Sequence, residues 1–263
     1  MKPKALVLQA RGTNRDLDVI EALHLAGADP SGMPLNELRL SQTAWTDFQM
    51  LVLPGGFSYA DALGAGRLLG LDLHSYFGEA VSNFIETGHP VIGICNGFQA
   101  LVKSGILPGR AAADHDSDNQ NATLTFNQNG NFECRWVNVL AVSQKCIWTN
   151  GLDELIYCPV AHGEGNFQTS HSHLINNLVM NDQVALTYVA RDGSPARGIY
   201  PANPNGSVLD IAGICNRAGN VLGLMPHPEN HIHPNQHPQW TRGLKGQSGL
   251  ALFENGVEYA HGT

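Results

Sequence analysis

The chain has 263 residues, 43% of them hydrophobic and 14% charged, with a formal charge of −8 from 15 basic and 23 acidic side chains. That length supports a sizeable buried core, and the composition excludes a disordered chain. The acidic balance, with no block of lysine or arginine, excludes a nucleic-acid binder, and no segment approaches the roughly 20 apolar residues of a membrane span.

In chain order, Lys4–Gln9 is an apolar run after two lysines, too short for a secretory leader, and predicts a buried strand. Residues 14–26 predict a helix, with Leu17, Ile20, Leu23 and Leu25 near one face, Asp16 and Asp18 in the first turn and Gly27 as the stop. Met50–Leu53 predicts a short strand running into Pro54-Gly55-Gly56. Residues 75–87 predict a helix carrying Phe77, Val81, Phe84 and Ile85 on one side. A strand over 90–94 leads straight into a helix, Asn96–Lys103. Residues 111–131 are polar and rich in Asp and Asn, and read as a long loop. Strand-like alternation returns over 132–142 and 184–190. Two apolar strands, 208–214 and 221–225, flank a hairpin-like turn at Asn216-Arg217-Ala218-Gly219-Asn220. An amphipathic helix over 248–259 closes the chain. The expected fold is a single α/β domain over 1–263: an open, mostly parallel, flavodoxin-like sheet with helices on both faces and additional antiparallel strands. The five cysteines form an odd set with no CxxC pair, which fits neither a disulfide scaffold nor a zinc site, and the expected compartment is the reducing cytoplasm.

The chemistry centres on Gly93-Ile94-Cys95-Asn96-Gly97. A cysteine between glycines at minus two and plus two, after a strand and before a helix, is a nucleophile elbow. The turn projects the side chain clear of the backbone, at a helix N-terminus that favours an anion. A second constellation is Met225-Pro226-His227-Pro228-Glu229. In an extended segment His227 and Glu229 point the same way, as a base and the carboxylate that orients it would. The plainer alternative is a surface histidine beside a surface acid. The glycine pair in Leu53-Pro54-Gly55-Gly56 can turn amides into a cleft, so Gly56 and Asn96 are candidate oxyanion donors. Gln99 lies one helical turn past Cys95, either in the same pocket or as a solvated helix residue. The tail histidines His227, His231, His233 and His237 match no established zinc spacing, so no metal is expected. The other four cysteines read as buried, inert thiols.

These strings resemble the class I glutamine amidotransferases, and within them the glutaminases that serve purine biosynthesis. The likeness is carried by Gly55-Gly56-Phe57-Ser58-Tyr59-Ala60-Asp61, the Cys95 elbow, Ala161-His162-Gly163-Glu164-Gly165, Met225-Pro226-His227-Pro228-Glu229 and His237-Pro238-Gln239-Trp240-Thr241-Arg242, which span nearly the full chain. The resemblance implies that Cys95 attacks the amide of L-glutamine, with His227 as base and Glu229 as its orienter. It implies Gln99, Phe57 and His162 at the substrate, and a loop around His162 and Glu164 bordering both the site and a partner. That partner is a larger synthetase subunit, with a small third subunit left open. On it, ATP and Mg²⁺ drive conversion of formylglycinamide ribonucleotide to the amidine. This chain carries neither GxGxxG nor GxxxxGK[ST], in keeping with a chain that holds no cofactor itself. Two places depart from the family pattern. Arg11-Gly12-Thr13-Asn14-Arg15-Asp16 stands where Pro-Gly-Thr-Asn-Cys-Asp is usual, and Asn230 stands where arginine is usual. The alternatives are a stand-alone cysteine hydrolase on a related elbow fold, peptidase or DJ-1-like, and a non-catalytic regulatory subunit.

Overall fold

The structure is a computed structural model that describes residues 1–40, 45–109 and 122–262. Its frame is a nine-stranded sheet in the order β2-β1-β3-β4-β11-β10-β9-β6-β7. The parallel part comprises β1 (Lys4–Gln9), β2 (Asp29–Pro34), β3 (Met50–Leu53), β4 (Val91–Ile94) and β11 (Val221–Leu224). An antiparallel wing extends it through β10 (Ile211–Cys215), β9 (Val184–Val189), β6 (Glu133–Ala141) and β7 (Ile156–His162). β5 (Ala122–Thr125) and β8 (Asn166–Thr169) pair separately as a small antiparallel sheet.

Right-handed crossovers set the layers. From β1 the chain steps outward to β2, and from β3 it steps the other way to β4. The helices on these crossovers, α1 (Asp16–Ala26) and α3 (Arg67–Glu86), therefore lie on opposite faces. α1 packs with α6 (Leu250–Gly262), and α3 packs with α4 (Asn96–Lys103). The strands they cover are uniformly apolar: every residue of β3, β4, β10 and β11 is buried, as a strand packed on both faces must be. Because β1, β3, β4 and β11 are adjacent and parallel, the loops leaving them converge at one edge. That edge is where an open α/β sheet binds ligands.

Several elements differ from expectation. β2 and β7 contain prolines (Pro30, Pro34, Pro159) that argue against a strand, yet each occupies a sheet edge, where proline is tolerated. α2 (Leu35–Leu40) and α5 (Ser172–Met180) are short helices with no sharp periodic signal. α3 starts at Arg67, well before residue 75, because Gly70 is accommodated inside the helix. Of the loop expected over 111–131, residues 111–121 lie outside the described part and β5 occupies Ala122–Thr125. Residues 208–210 form a 3₁₀ turn rather than the start of β10. Cys146, Cys158 and Cys215 are buried as expected, but Cys134 is exposed. No described helix is long and apolar enough to cross a membrane.

Candidate active site

Cys95 is the single residue between the end of β4 and the start of α4. Its backbone sits at φ 50° and ψ −102°, outside the regions a side-chain-bearing residue prefers. Such a conformation costs on the order of 1–3 kcal/mol and persists only where the surroundings impose it. Here the Cys95 amide donates to the Leu224 carbonyl at 2.7 Å, and the Gln99 amide donates to the Cys95 carbonyl at 3.0 Å. The flanking glycines let the turn close. A Cβ on Gly97 would sit 2.0 Å from the Leu53 carbonyl oxygen, and one on Gly93 would sit 2.8 Å from Gly97.

His227 follows β11 at the neighbouring strand end. Its amide donates to the Pro159 carbonyl at 2.8 Å, and its Nδ1 lies 2.6 Å from Glu229 Oε1. The segment is not extended: Pro228–Asn230 forms a 3₁₀ turn that brings Glu229 back under the ring. Both side chains are buried, Glu229 completely. Burial opposes charge on His227, but the Glu229 carboxylate and Cys95 outweigh it and raise the imidazole above its ordinary range. The Cys95 thiol donates to the Ala161 carbonyl at 3.7 Å.

The loop after β3 passes close to the loop after β1. Gly56 adopts φ 143°, and a Cβ there would meet the Asn14 nitrogen at 2.8 Å. Asn96 opens α4, so its amide has no intrahelical acceptor. Its buried side chain takes a hydrogen bond from the Ser58 amide at 3.1 Å and donates to Asp61 at 3.3 Å and Gln99 at 3.0 Å. Tyr59, Ala60 and Asp61 all stand in the left-handed region, with φ of 56°, 55° and 53°.

A cleft of about 130 Å³ opens beside Cys95. Gly56, Phe57, Gln99 and His162 line it, as do Asp61, Phe126, Phe132 and Glu164. Gln99 is not solvated: it is buried, and its Nε2 donates to the Glu164 carbonyl at 2.7 Å. It thereby ties the loop after β7 to α4. His227 and Glu229 are not among the residues that line the cleft.

Asn127 clamps the two loops that rise where the small sheet meets the large one. Its Nδ2 donates to the carbonyls of Asn131 and His162, each at 2.8 Å, and its Oδ1 accepts from the Gly165 amide at 3.0 Å. These bonds fix which end of the amide is oxygen. His162 Nδ1, 3.0 Å from the same Oδ1, must therefore be the protonated nitrogen. Nε2 is left as a bare lone pair, buried and without a partner. Burial, then His227, lower the His162 pKa to about 3, so the ring is neutral. Among the described residues, no cluster of three His, Cys, Asp or Glu side chains could hold a metal ion.

The family model for the CobB/CobQ-like glutamine amidotransferase domain matches residues 2–260. The chain belongs to this family of glutamine amidotransferases. It is 51% identical to the phosphoribosylformylglycinamidine synthase subunit PurQ of Treponema denticola, over 98% of this chain and 99% of that one. Identity to the subunit of the same name in Dehalococcoides mccartyi is 44%, over 98% of each chain. Among solved structures it is similar to a chain of PurLQS from Thermotoga maritima, with a TM-score of 0.74, 30% identity and coverage of 98% and 99%.

In this amidotransferase the two departures from the family pattern meet. Arg15 Nη1 and Asn230 Nδ2 both donate to Asp18 Oδ2, each at 3.1 Å. The linear sequence could not show that pairing, nor the Asn127 clamp, because both join segments far apart in the chain. The linear sequence marks neither Phe126 nor Phe132 as a wall of the cleft, although Phe132 stacks on Phe57 at a centroid distance of 6.3 Å.

Proposed function

We propose that this amidotransferase is the glutaminase component of a phosphoribosylformylglycinamidine synthase, releasing ammonia from L-glutamine for a larger ATP-dependent synthetase subunit. The observation that carries the reading is Cys95 on its strained elbow, facing a cleft, with His227 held between the thiol and the buried Glu229. The end-to-end identity to the Treponema denticola subunit supports the pathway.

Cys95 sulfur attacks the side-chain amide carbon of glutamine. Glu229 and Cys95 together favour the charged form of His227, so the ring is ready to take the thiol proton as the sulfur attacks. The carbonyl electron pair moves onto oxygen, where the amides of Gly56 and Asn96 stabilise it; losing one such donor costs roughly 3–4 kcal/mol in other acyl-transfer sites. His227 then passes its proton to the departing nitrogen, the C–N bond breaks, and ammonia leaves a γ-glutamyl thioester on Cys95. Water, deprotonated by His227, cleaves the thioester to glutamate and restores the thiol. Glu229 keeps the ring in one tautomer and orientation throughout. Phe57 and Gln99 shape the substrate cleft beside His162.

Ammonia passes to the synthetase, where ATP and Mg²⁺ activate the amide of formylglycinamide ribonucleotide. The assembly works in the cytoplasm. Affinity purification of the tagged chain from its native host should recover the synthetase, and it tests for a small third subunit at the same time. The deciding experiment is Cys95→Ala in the reconstituted complex. Glutamine-dependent synthesis should vanish while ammonium-dependent synthesis survives. Retained glutamine-dependent synthesis, or loss of both activities in an assembled complex, contradicts the reading.

A further inference from the structure

We infer that the side chain of Asn96 is a positioning residue for the oxyanion site: it holds the loop after β3 against the elbow and so keeps the Gly56 amide in place beside Cys95. The inference rests on the glutaminase reading and adds the group that assembles the two oxyanion donors.

The loop that follows Gly56 is strained. Tyr59, Ala60, Asp61 and Leu63 stand at φ of 56°, 55°, 53° and 65°. Residues with side chains visit the left-handed region singly, not three in a row, because Cβ crowds the following carbonyl oxygen. Such a run persists only where its surroundings impose it. On one side the imposing contacts come from the loop after β1 and from α3. The Phe57 and Tyr59 amides donate to the Gly12 and Arg11 carbonyls at 3.0 and 2.6 Å, and the Tyr59 hydroxyl bonds Asp72 of α3. None of these bonds reaches the elbow.

Asn96 makes that connection. It is 2% exposed and directly follows Cys95. Its Oδ1 accepts the Ser58 amide at 3.1 Å, and its Nδ2 donates to Asp61 Oδ1 at 3.3 Å and Gln99 Oε1 at 3.0 Å. The Ser58 N–H can only donate, so the oxygen end of Asn96 is fixed and both of its side-chain N–H donors are in use. Gln99 carries the chain of bonds on to the Glu164 carbonyl at 2.7 Å, and Glu164 Oε1 accepts the Ala65 amide at 3.2 Å, back on the strained loop. The bonds form a ring through Ser58, Asn96, Gln99, Glu164 and Ala65, joining the loops after β3 and β7 to the start of α4. A buried polar ring of this kind is rigid only when every member is satisfied. Without the Asn96 side chain, Ser58 and Asp61 lose their tie to the elbow, the strain is free to relax, and Gly56 moves with the loop. An oxyanion donor acts over a narrow range of distance, so such a movement costs rate. Asn96 thus supplies one donor from its backbone and fixes the other through its side chain.

The test uses the assembled complex and two reactions of Cys95. Glutamine hydrolysis passes through an oxyanion. Alkylation by iodoacetamide does not: the sulfur bonds to the methylene carbon, iodide leaves and the thiol proton is released. Asn96→Ala should lower kcat for glutamine hydrolysis on the order of a hundredfold, the penalty of a misplacement of about 1 Å, with KM and the alkylation rate each within about threefold of wild type. Ala60→Gly removes the side chain that opposes the left-handed turn. In the Asn96→Ala background it should recover turnover about fivefold, and in the wild-type chain it should change turnover by less than about twofold. If Asn96→Ala does not assemble, Asn96→Ser, too short to span Ser58 and Asp61, decides by the same two readouts. Alkylation that falls as far as turnover, or no recovery from Ala60→Gly, overturns the positioning role. If the wild-type complex hydrolyses no glutamine while iodoacetamide labels Cys95, the glutaminase reading falls and takes the role with it.

Discussion

Cys95 stands in a conformation that its neighbours impose, and its chemistry depends on charges that are buried with it. Glu229 is fully buried, and only one of its oxygens is paired, to His227. Glu229→Gln removes the charge that raises His227 and leaves the shape nearly intact. Turnover should fall on the order of 10²–10⁴-fold, the range of a general acid–base contribution, and iodoacetamide alkylation of Cys95 at neutral pH should slow. A variant with wild-type rates in both assays would remove Glu229 from the mechanism. His162 leads to a stability prediction. Its folded pKa is lowered from 6.5 to about 3, so the unfolded chain binds a proton in that window that the folded chain refuses. Its contribution is complete above pH 6.5 and is lost as pH falls toward 3, with a slope of up to about 1.4 kcal/mol per pH unit. Urea midpoints across that window should fall less steeply with acid for His162→Gln than for wild type; parallel curves contradict the assignment. At this scale the sequence exposed Cys95, His227 and Glu229 plainly, because proximity in the chain or a motif marks each. The state of His162 was hidden, since Asn127, which fixes it, lies 35 positions away.

At the scale of elements, the site is built from strand ends held at fixed distances. Gly55 shows how tightly: a Cβ there would lie 2.7 Å from His227 Cε1. Gly55→Ala should displace the base and reduce turnover far more than it reduces the thermal midpoint. An equal loss of both, or of neither, would contradict that packing. Arg15 and Asn230 bring α1 and the turn after β11 together on Asp18. The Arg15–Asp18 pair is half-exposed, with side chains 41% and 35% accessible, so it is worth about 0–1 kcal/mol. A double-mutant cycle between Arg15→Cys and Asn230→Arg should show coupling of that size; no coupling would make the two departures independent. The strand–elbow–helix unit from β4 to α4 was legible because an apolar run, two glycines and an amphipathic start all agree. β2 and β7 were not, because proline at a sheet edge carries the same local signal as proline in a loop.

At the scale of the whole molecule, the parallel strands β1, β3, β4 and β11 bring the Gly12 loop, Gly56, Cys95 and His227 to one edge. The alternation of strands and helices foretold that sheet and its covered faces. It did not foretell the extent of the antiparallel wing, whose members are far apart in sequence. The cleft at that edge is open, with Phe57, Phe126 and Phe132 exposed along it. An open site admits water and leaves the nucleophile poorly committed, so glutamine turnover should be low for the chain alone and rise when the synthetase binds. Equal turnover with and without the synthetase would show that the partner does not gate the site. The central claim, that glutamine is opened by Cys95 through a thioester, is tested most directly by acid-quenching the complex during turnover and mapping the peptides by mass. The account predicts a γ-glutamyl adduct on the Cys95 peptide that disappears on chase with excess buffer. Ammonia released at the full rate with no adduct on Cys95, or an adduct on another residue, would contradict it.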